Sequence, residues 1–342
     1  MDAEAAGRHW AELPDDQVLD VRMCDLGLRI EGTFLERCVE RLHRELEEHH
    51  LRFRPECYLG DEWFSPDGVP AIAIPFYLAH PRLVALERKM MMDVEGGDGE
   101  EDTMRFLRHE CGHAICHAYR LTGRRDWRAV FGSPSMEFSD HYRFRPYSRN
   151  YVRHLENWYA QSHPEEDFAE TFAVWLPGSD WAEEYREWPA LKKLEYVDGL
   201  MGALAGRTPP VGRGEKTYDV RRLRRRLRTH YAERRRLYPE DSPGFFDADL
   251  RRIFGDAPAS GPKASAARFF RRNRRELLDT VAHWTRERKF TVDRVLRQLA
   301  ARCDELGLGA PADEQRARVE LAAFLSALVS NYLFTGRFKR GP

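Results

Sequence analysis

The chain has 342 residues, 42% of them hydrophobic, enough for one substantial domain and a smaller one. Its net charge is −1 and its pI about 6.9, so no global field draws it to nucleic acid or to a membrane, and no run of about 18 apolar residues offers a membrane span. The six cysteines, Cys24, Cys38, Cys57, Cys111, Cys116 and Cys303, form no CxxC pair, and the acidic N-terminus lacks the basic start and apolar core of a signal peptide; reduced thiols in the cytoplasm are expected.

Val18 to Ile30 contains strand-like stretches. Gly32-Thr33 opens a helix through His50, with Phe34, Leu35, Cys38, Val39, Leu42 and Leu46 on one face and charge on the other. Leu51 to Leu59 and Pro70 to Leu78 read as strands, and Pro70 and Pro75 confine the second to a sheet edge. Such an edge could hold a peptide as an added strand, or could simply be a proline-bounded edge. Arg82 to Val94 reads as a helix, and Glu95-Gly96-Gly97-Asp98-Gly99 as a loop.

The next helix carries His109-Glu110-Cys111-Gly112-His113. Asp102 or Thr103 can cap it, Met104, Phe106 and Leu107 give it an apolar face, and Leu121-Thr122-Gly123 stops it. Two imidazoles four residues apart share a helix face and can reach one zinc ion, with Glu110 projecting toward the metal-bound water. The same spacing also occurs where histidines are solvated or packed, so context decides. Gly112 permits either the close approach of another backbone or of substrate, or tight helix packing. A catalytic zinc takes three protein ligands. His117 lies about 12 Å of helix from His109, too far to share the ion.

Phe131 to Asn150, rich in proline, serine, arginine and aromatics, reads as a long ordered loop over the cleft. Beyond it, Pro164 fits the first turn of another helix, Ser162 with Glu165 could form a capping box, and Pro177-Gly178 ends it. Glu166 and Glu170 share a face there. Such a pair offers one metal ligand and one partner for a ligand histidine, or a solvated acidic helix start. Helix geometry alone does not order the two. Tyr159 could face the reaction or pack with Trp158 and Tyr151, and His141, His154 and His163 could line the cleft or serve as loop and capping residues.

These residues carry a resemblance. His-Glu-Cys-Gly-His followed by Tyr159-Ala160-Gln161-Ser162-His163-Pro164-Glu165-Glu166-Asp167-Phe168-Ala169-Glu170 resembles the zinc-binding metallopeptidases of the gluzincin group, as do Asp61-Glu62-Trp63-Phe64-Ser65-Pro66, Ile74 to Pro81 and Trp188-Pro189-Ala190-Leu191. The likeness spans roughly residues 15 to 205. It implies that the third ligand is a glutamate of the second helix. The spacing of Tyr159, Glu166 and Glu170 is also similar to that of lethal-factor-type zinc proteases. On those positions it implies His109, His113 and Glu166 as zinc ligands, Glu170 behind a ligand histidine, Glu110 as general base and Tyr159 as donor to the oxyanion.

The fold expected is an α+β zincin-like metallopeptidase domain over 1–206, with a small mixed sheet bearing an edge strand, the HExxH helix and a second ligand helix. A smaller all-α, arginine-rich C-terminal domain over 215–342 follows Pro209-Pro210. Its clusters, Arg221 to Arg236 and Arg268 to Arg275, could hold phosphate or acidic partners, but a solvated helix face is favoured. Gly255 to Pro262 reads as a connector. The function expected is zinc-dependent hydrolysis of peptide bonds in a peptide or protein substrate. The alternative is a zinc-fold binding module whose arginines hold an acidic protein or nucleic acid. The intact Glu110 favours the enzyme, because a structural zinc site has no use for a general base.

Overall fold

Thr33 starts the first long helix of the structure, a computed structural model that describes residues 10–91, 94–138, 145, 148–155, 158–178, 180–236, 246–255 and 265–335. Helix α1 (Phe34–Glu48) begins where the Thr33 hydroxyl accepts the Leu35 N–H at 3.2 Å. It buries Leu35, Cys38, Leu42 and Leu46, each fully removed apolar side chain contributing about 1.5–3 kcal/mol. Strands β1 (Glu56–Gly60) and β2 (Ala71–Pro75) pair in parallel, Glu56 opposite Ala71. Helix α2 (Pro81–Met91) leads to α3 (Glu100–Tyr119) and the short α4 (Arg125–Phe131). Helices α5 (Pro164–Trp175), α6 (Leu191–Leu204) and α7 (Leu227–Arg236) follow.

Two expectations for this region change. Val18 to Ile30 is not strand: it holds the end of a helical turn (Asp15–Val18) and a 3-10 turn (Met23–Leu26) closed by Gly27 at φ 62°. Its backbone groups pair instead with a later irregular segment, Met23 N–H donating to the Arg225 carbonyl (3.0 Å) and Cys24 N–H to that of Leu223 (2.9 Å). The sheet is a parallel pair, with one antiparallel bridge from Phe64 to Ala73. Strand β2 is buried along its whole length, and its Ala73 N–H already donates to the Phe64 carbonyl at 2.8 Å. Part of its outer edge is therefore already taken, at Ala73, and its prolines mark where the strand starts and ends.

Helix α3 takes no side-chain cap; Gly99, at φ 117°, precedes it. Asp102 and Thr103 lie inside the first turn, where Asp102 accepts the Asp98 N–H (3.2 Å) and the Thr103 hydroxyl donates to the Gly96 carbonyl (2.6 Å). Arg120, at φ 51°, ends the helix, and Leu121–Gly123 continues as a 3-10 turn. Met104, Leu107, Cys111, Ala114, Ile115 and Ala118 fill its buried face. The buried Glu45 of α1 accepts two bonds from Arg108 of α3, at 2.8 and 2.6 Å, fixing α3 against α1.

The chain divides into two compact units, the first reaching Arg235 and the second beginning at Arg236. Pro209-Pro210 belong to an extended segment laid on the first unit, where Val211 N–H donates to the Ala118 carbonyl at the end of α3 (3.1 Å). The second unit consists of α8 (Asp247–Ile253), α9 (Ala266–Thr285), α10 (Lys289–Glu305) and α11 (Glu314–Thr335), packed around Phe254, Phe269, Val281, Leu296 and Leu325. The connector expected at Gly255 to Pro262 falls almost wholly outside the described residues. No helix among the described residues is long and apolar enough to cross a membrane.

Candidate metal centre

Helices α3 and α5 make the most extensive helix contact of the first unit. Gly112 lies at this contact, its bare Cα facing the backbone of Ala169. On α3, His109, Glu110 and His113 share one face, and all three are buried. On α5, Glu166 and Glu170 turn the same way, also buried. The N-cap of α5 is His163 rather than Ser162: the His163 Nδ1 accepts the Glu165 N–H (3.2 Å), and its Nε2–H donates to the Met136 carbonyl (3.0 Å). The Ser162 hydroxyl donates to the Tyr159 carbonyl instead (2.7 Å).

Among the described residues, one group of three potential ligand side chains converges: His109, His113 and Glu166. The Glu166 Oε2 lies 3.0 Å from the His109 Nε2 and 3.1 Å from the His113 Nε2, and the two nitrogens are 3.2 Å apart. Ligand atoms on a tetrahedral zinc, with bonds of about 2.0–2.1 Å, stand roughly 3.3 Å from one another. The three atoms form nearly that triangle, so the donor set fits the ion.

Glu170 occupies a different place. Its Oε1 accepts the Nδ1–H of His109 at 2.8 Å, and its Oε2 accepts the main-chain N–H of Leu155 at 2.8 Å. A carboxylate only accepts, so His109 carries a proton on Nδ1, and Nε2, the nitrogen that faces Glu166, is the one available to a metal ion once its own proton is displaced. Burial works to lower the His109 pKa, but Glu166 and Glu170 outweigh it and raise it well above the ordinary value. Burial opposes ionisation of Glu166 and Glu170 as well, yet the facing histidines hold both below the usual carboxylate range. The pocket is thus built to hold positive charge.

Glu110, 7% exposed, has its pKa raised by burial against the opposing pull of His109 and His113. Tyr159, 36% exposed, stands in a 3-10 turn with its ring centroid 5.6 Å from that of His109. His117, one turn past His113, accepts the Gly68 N–H at 3.3 Å and is not in the ligand group. His154 bonds to the Arg105 carbonyl at 2.9 Å. His141 lies outside the described residues. Two contributors have no counterpart among the sequence expectations: the Leu155 amide and the Glu45–Arg108 pair. A backbone donor leaves no signal in a sequence, and a pair 63 residues apart has no local pattern.

Many arginines of the expected anion-binding clusters are paired within their own unit. Arg221 meets Asp219 (2.6 Å), Arg225 meets Asp61 (2.5 Å), Arg228 meets Asp20 (3.2 Å) and Arg234 meets Glu87 (2.5 Å). In the second unit Arg274 pairs with the buried Asp293 (2.5 Å).

Residues 102–197 match the model of a family described as "Putative zinc-binding metallo-peptidase". The matched stretch is less than a third of the chain, and it contains the whole convergent group together with Glu110, Tyr159 and Glu170. Comparisons with curated proteins and with solved structures give no match. The match and the geometry together support a zinc-binding metallopeptidase, with zinc as its cofactor.

Proposed function

We propose that the first unit is a gluzincin-type peptidase of zincin-like layout that hydrolyses peptide bonds in peptide or protein substrates. The observation that carries this reading is the triangle of His109 Nε2, His113 Nε2 and Glu166 Oε2, one turn of α3 against one turn of α5. His109, His113 and Glu166 would hold zinc. When bound, zinc would polarise the scissile carbonyl and make the attacking water more acidic. Glu110 takes the proton of the attacking water and delivers it to the leaving amine; burial raises its pKa toward the range such a base needs. Tyr159, beside His109, donates a hydrogen bond to the carbonyl oxygen as negative charge develops there. Glu170 keeps His109 in the tautomer that frees Nε2. The spacing of Tyr159, Glu166 and Glu170 supports the likeness to lethal-factor-type proteases. Six unpaired thiols suit a reducing compartment, the cytoplasm.

The test is metal analysis of the purified full chain, followed by peptide-library cleavage with wild type and Glu110→Gln. About one zinc per chain in both, with cleavage by the wild type only, is the expected result. A wild type free of zinc after reconstitution, or equal cleavage by both proteins, would overturn the reading.

A further inference from the structure

Glu170 is 1% exposed, and both of its oxygens are engaged: one by His109, the other by the N–H of Leu155. Leu155 lies in a segment that is neither helix nor strand. A main-chain donor in such a segment is held only as well as its neighbours are, and both preceding residues are held. The Tyr185 hydroxyl accepts the Arg153 N–H at 3.1 Å. His154 and Arg105 clasp each other reciprocally: the His154 Nε2–H donates to the Arg105 carbonyl at 2.9 Å, and the Arg105 guanidinium donates to the His154 carbonyl. A carbonyl only accepts, so Nε2 carries the proton. The Arg105 carbonyl is also the one that helix geometry assigns to the His109 N–H, four residues on. His154 therefore attaches the segment to α3 at the peptide group beneath the metal-facing histidine.

We infer that His154, helped by Tyr185, is a positioning residue for the metal centre: it sets the Leu155 N–H against Glu170, and Glu170 then sets the His109 ring. The inference rests on the metal-centre reading above. Three consecutive residues of an irregular segment thus act as an outer support, anchored to α3 at one contact and to α5 at the next. Loss of the His154 bond lets the Leu155 amide drift, leaves a buried carboxylate oxygen short of a donor, and frees the His109 ring to turn.

The experiment uses the full chain with zinc or cobalt(II) alone as probe. Metal affinity by chelator competition, the visible cobalt(II) band and the melting temperature of the metal-free protein are compared in wild type, His154→Ala, His154→Gln and Tyr185→Phe. His154→Ala should bind metal about 10–100-fold more weakly, the range of outer-ligand losses, and should alter the cobalt(II) band. His154→Gln, whose amide N–H can reach the Arg105 carbonyl, should recover much of the affinity, and Tyr185→Phe should lose several-fold, roughly the value of one neutral hydrogen bond. Affinity and band in His154→Ala indistinguishable from wild type would overturn the proposal, as would a glutamine variant no better than the alanine one. Should His154→Ala fail to fold, unchanged affinity in Tyr185→Phe would overturn it. A wild type that binds neither metal removes the metal centre itself, and this inference with it; normal binding insensitive to His154 removes this inference alone.

Discussion

Gly112 lies directly on the backbone of Ala169: a Cβ built on Gly112 would stand 2.7 Å from the Ala169 Cα and 3.1 Å from its carbonyl oxygen. The close approach that glycine permits is therefore that of α5, the helix that carries Glu166 and Glu170. Backbone atoms cannot swing aside as a side-chain tip can, so any larger residue must push α3 and α5 apart. Gly112→Ala gains up to ~1 kcal/mol of helix propensity and loses roughly 1–3 kcal/mol to overpacking, more if the helices shift far. Thermal unfolding should show a lower melting temperature than wild type, and zinc affinity should fall with it. A variant more stable than wild type would contradict the contact.

The two glutamates of α5 should separate cleanly. Glu166→Ala removes the oxygen that lies 3.0 and 3.1 Å from the two imidazole nitrogens, so chelator competition should find zinc binding all but lost. Glu170→Ala leaves those three atoms in place and removes only the acceptor for His109, so it should cost about 10–100-fold in affinity. The reverse order of the two losses would reassign the ligand.

Glu110→Gln and Tyr159→Phe should both retain zinc. The glutamine keeps size and hydrogen bonding but cannot take a proton, so turnover should fall at least ~100-fold. The phenylalanine removes a bond that matters only as charge grows on the carbonyl oxygen, so kcat should fall with KM nearly unchanged. A Tyr159→Phe enzyme with normal kcat would return Tyr159 to a packing role.

His230 gives a pH signature away from the metal. It is 1% exposed, its ring packs edge-on against Phe76 at 5.4 Å, and burial, then the Arg234 and Arg225 guanidiniums, push its pKa down to about 3. In the unfolded chain it titrates near ~6.5, so between those values the unfolded state binds the extra proton. Its contribution to stability is complete above about pH 6.5 and declines as pH falls toward 3, by up to ~1.4 kcal/mol per unit. In chelator-treated protein, the melting temperature of His230→Leu should drop less steeply than that of wild type between about pH 6.5 and 5. Parallel slopes would show that His230 does not stay neutral when folded.

Local rules make much of this protein legible from its residues alone. A residue four positions on returns to the same helix face whatever surrounds it, so His109 with His113, and Glu166 with Glu170, each read as a pair on one face of its own helix, and Thr33 reads as the start of a helix. Those rules stop at the ends of each element. The strand-like pattern of Val18 to Ile30 misleads because its partners, Leu223 and Arg225, lie about 200 residues away. The prolines around β2 cannot reveal that Phe64 already uses its Ala73 N–H. Only the packing of α3 on α5, through Gly112 and Ala169, decides which glutamate oxygen lies beside both imidazoles and which lies behind one. That register depends on contacts between residues distant in sequence, and on main-chain groups such as the Leu155 amide, which every residue but proline carries and no sequence pattern marks.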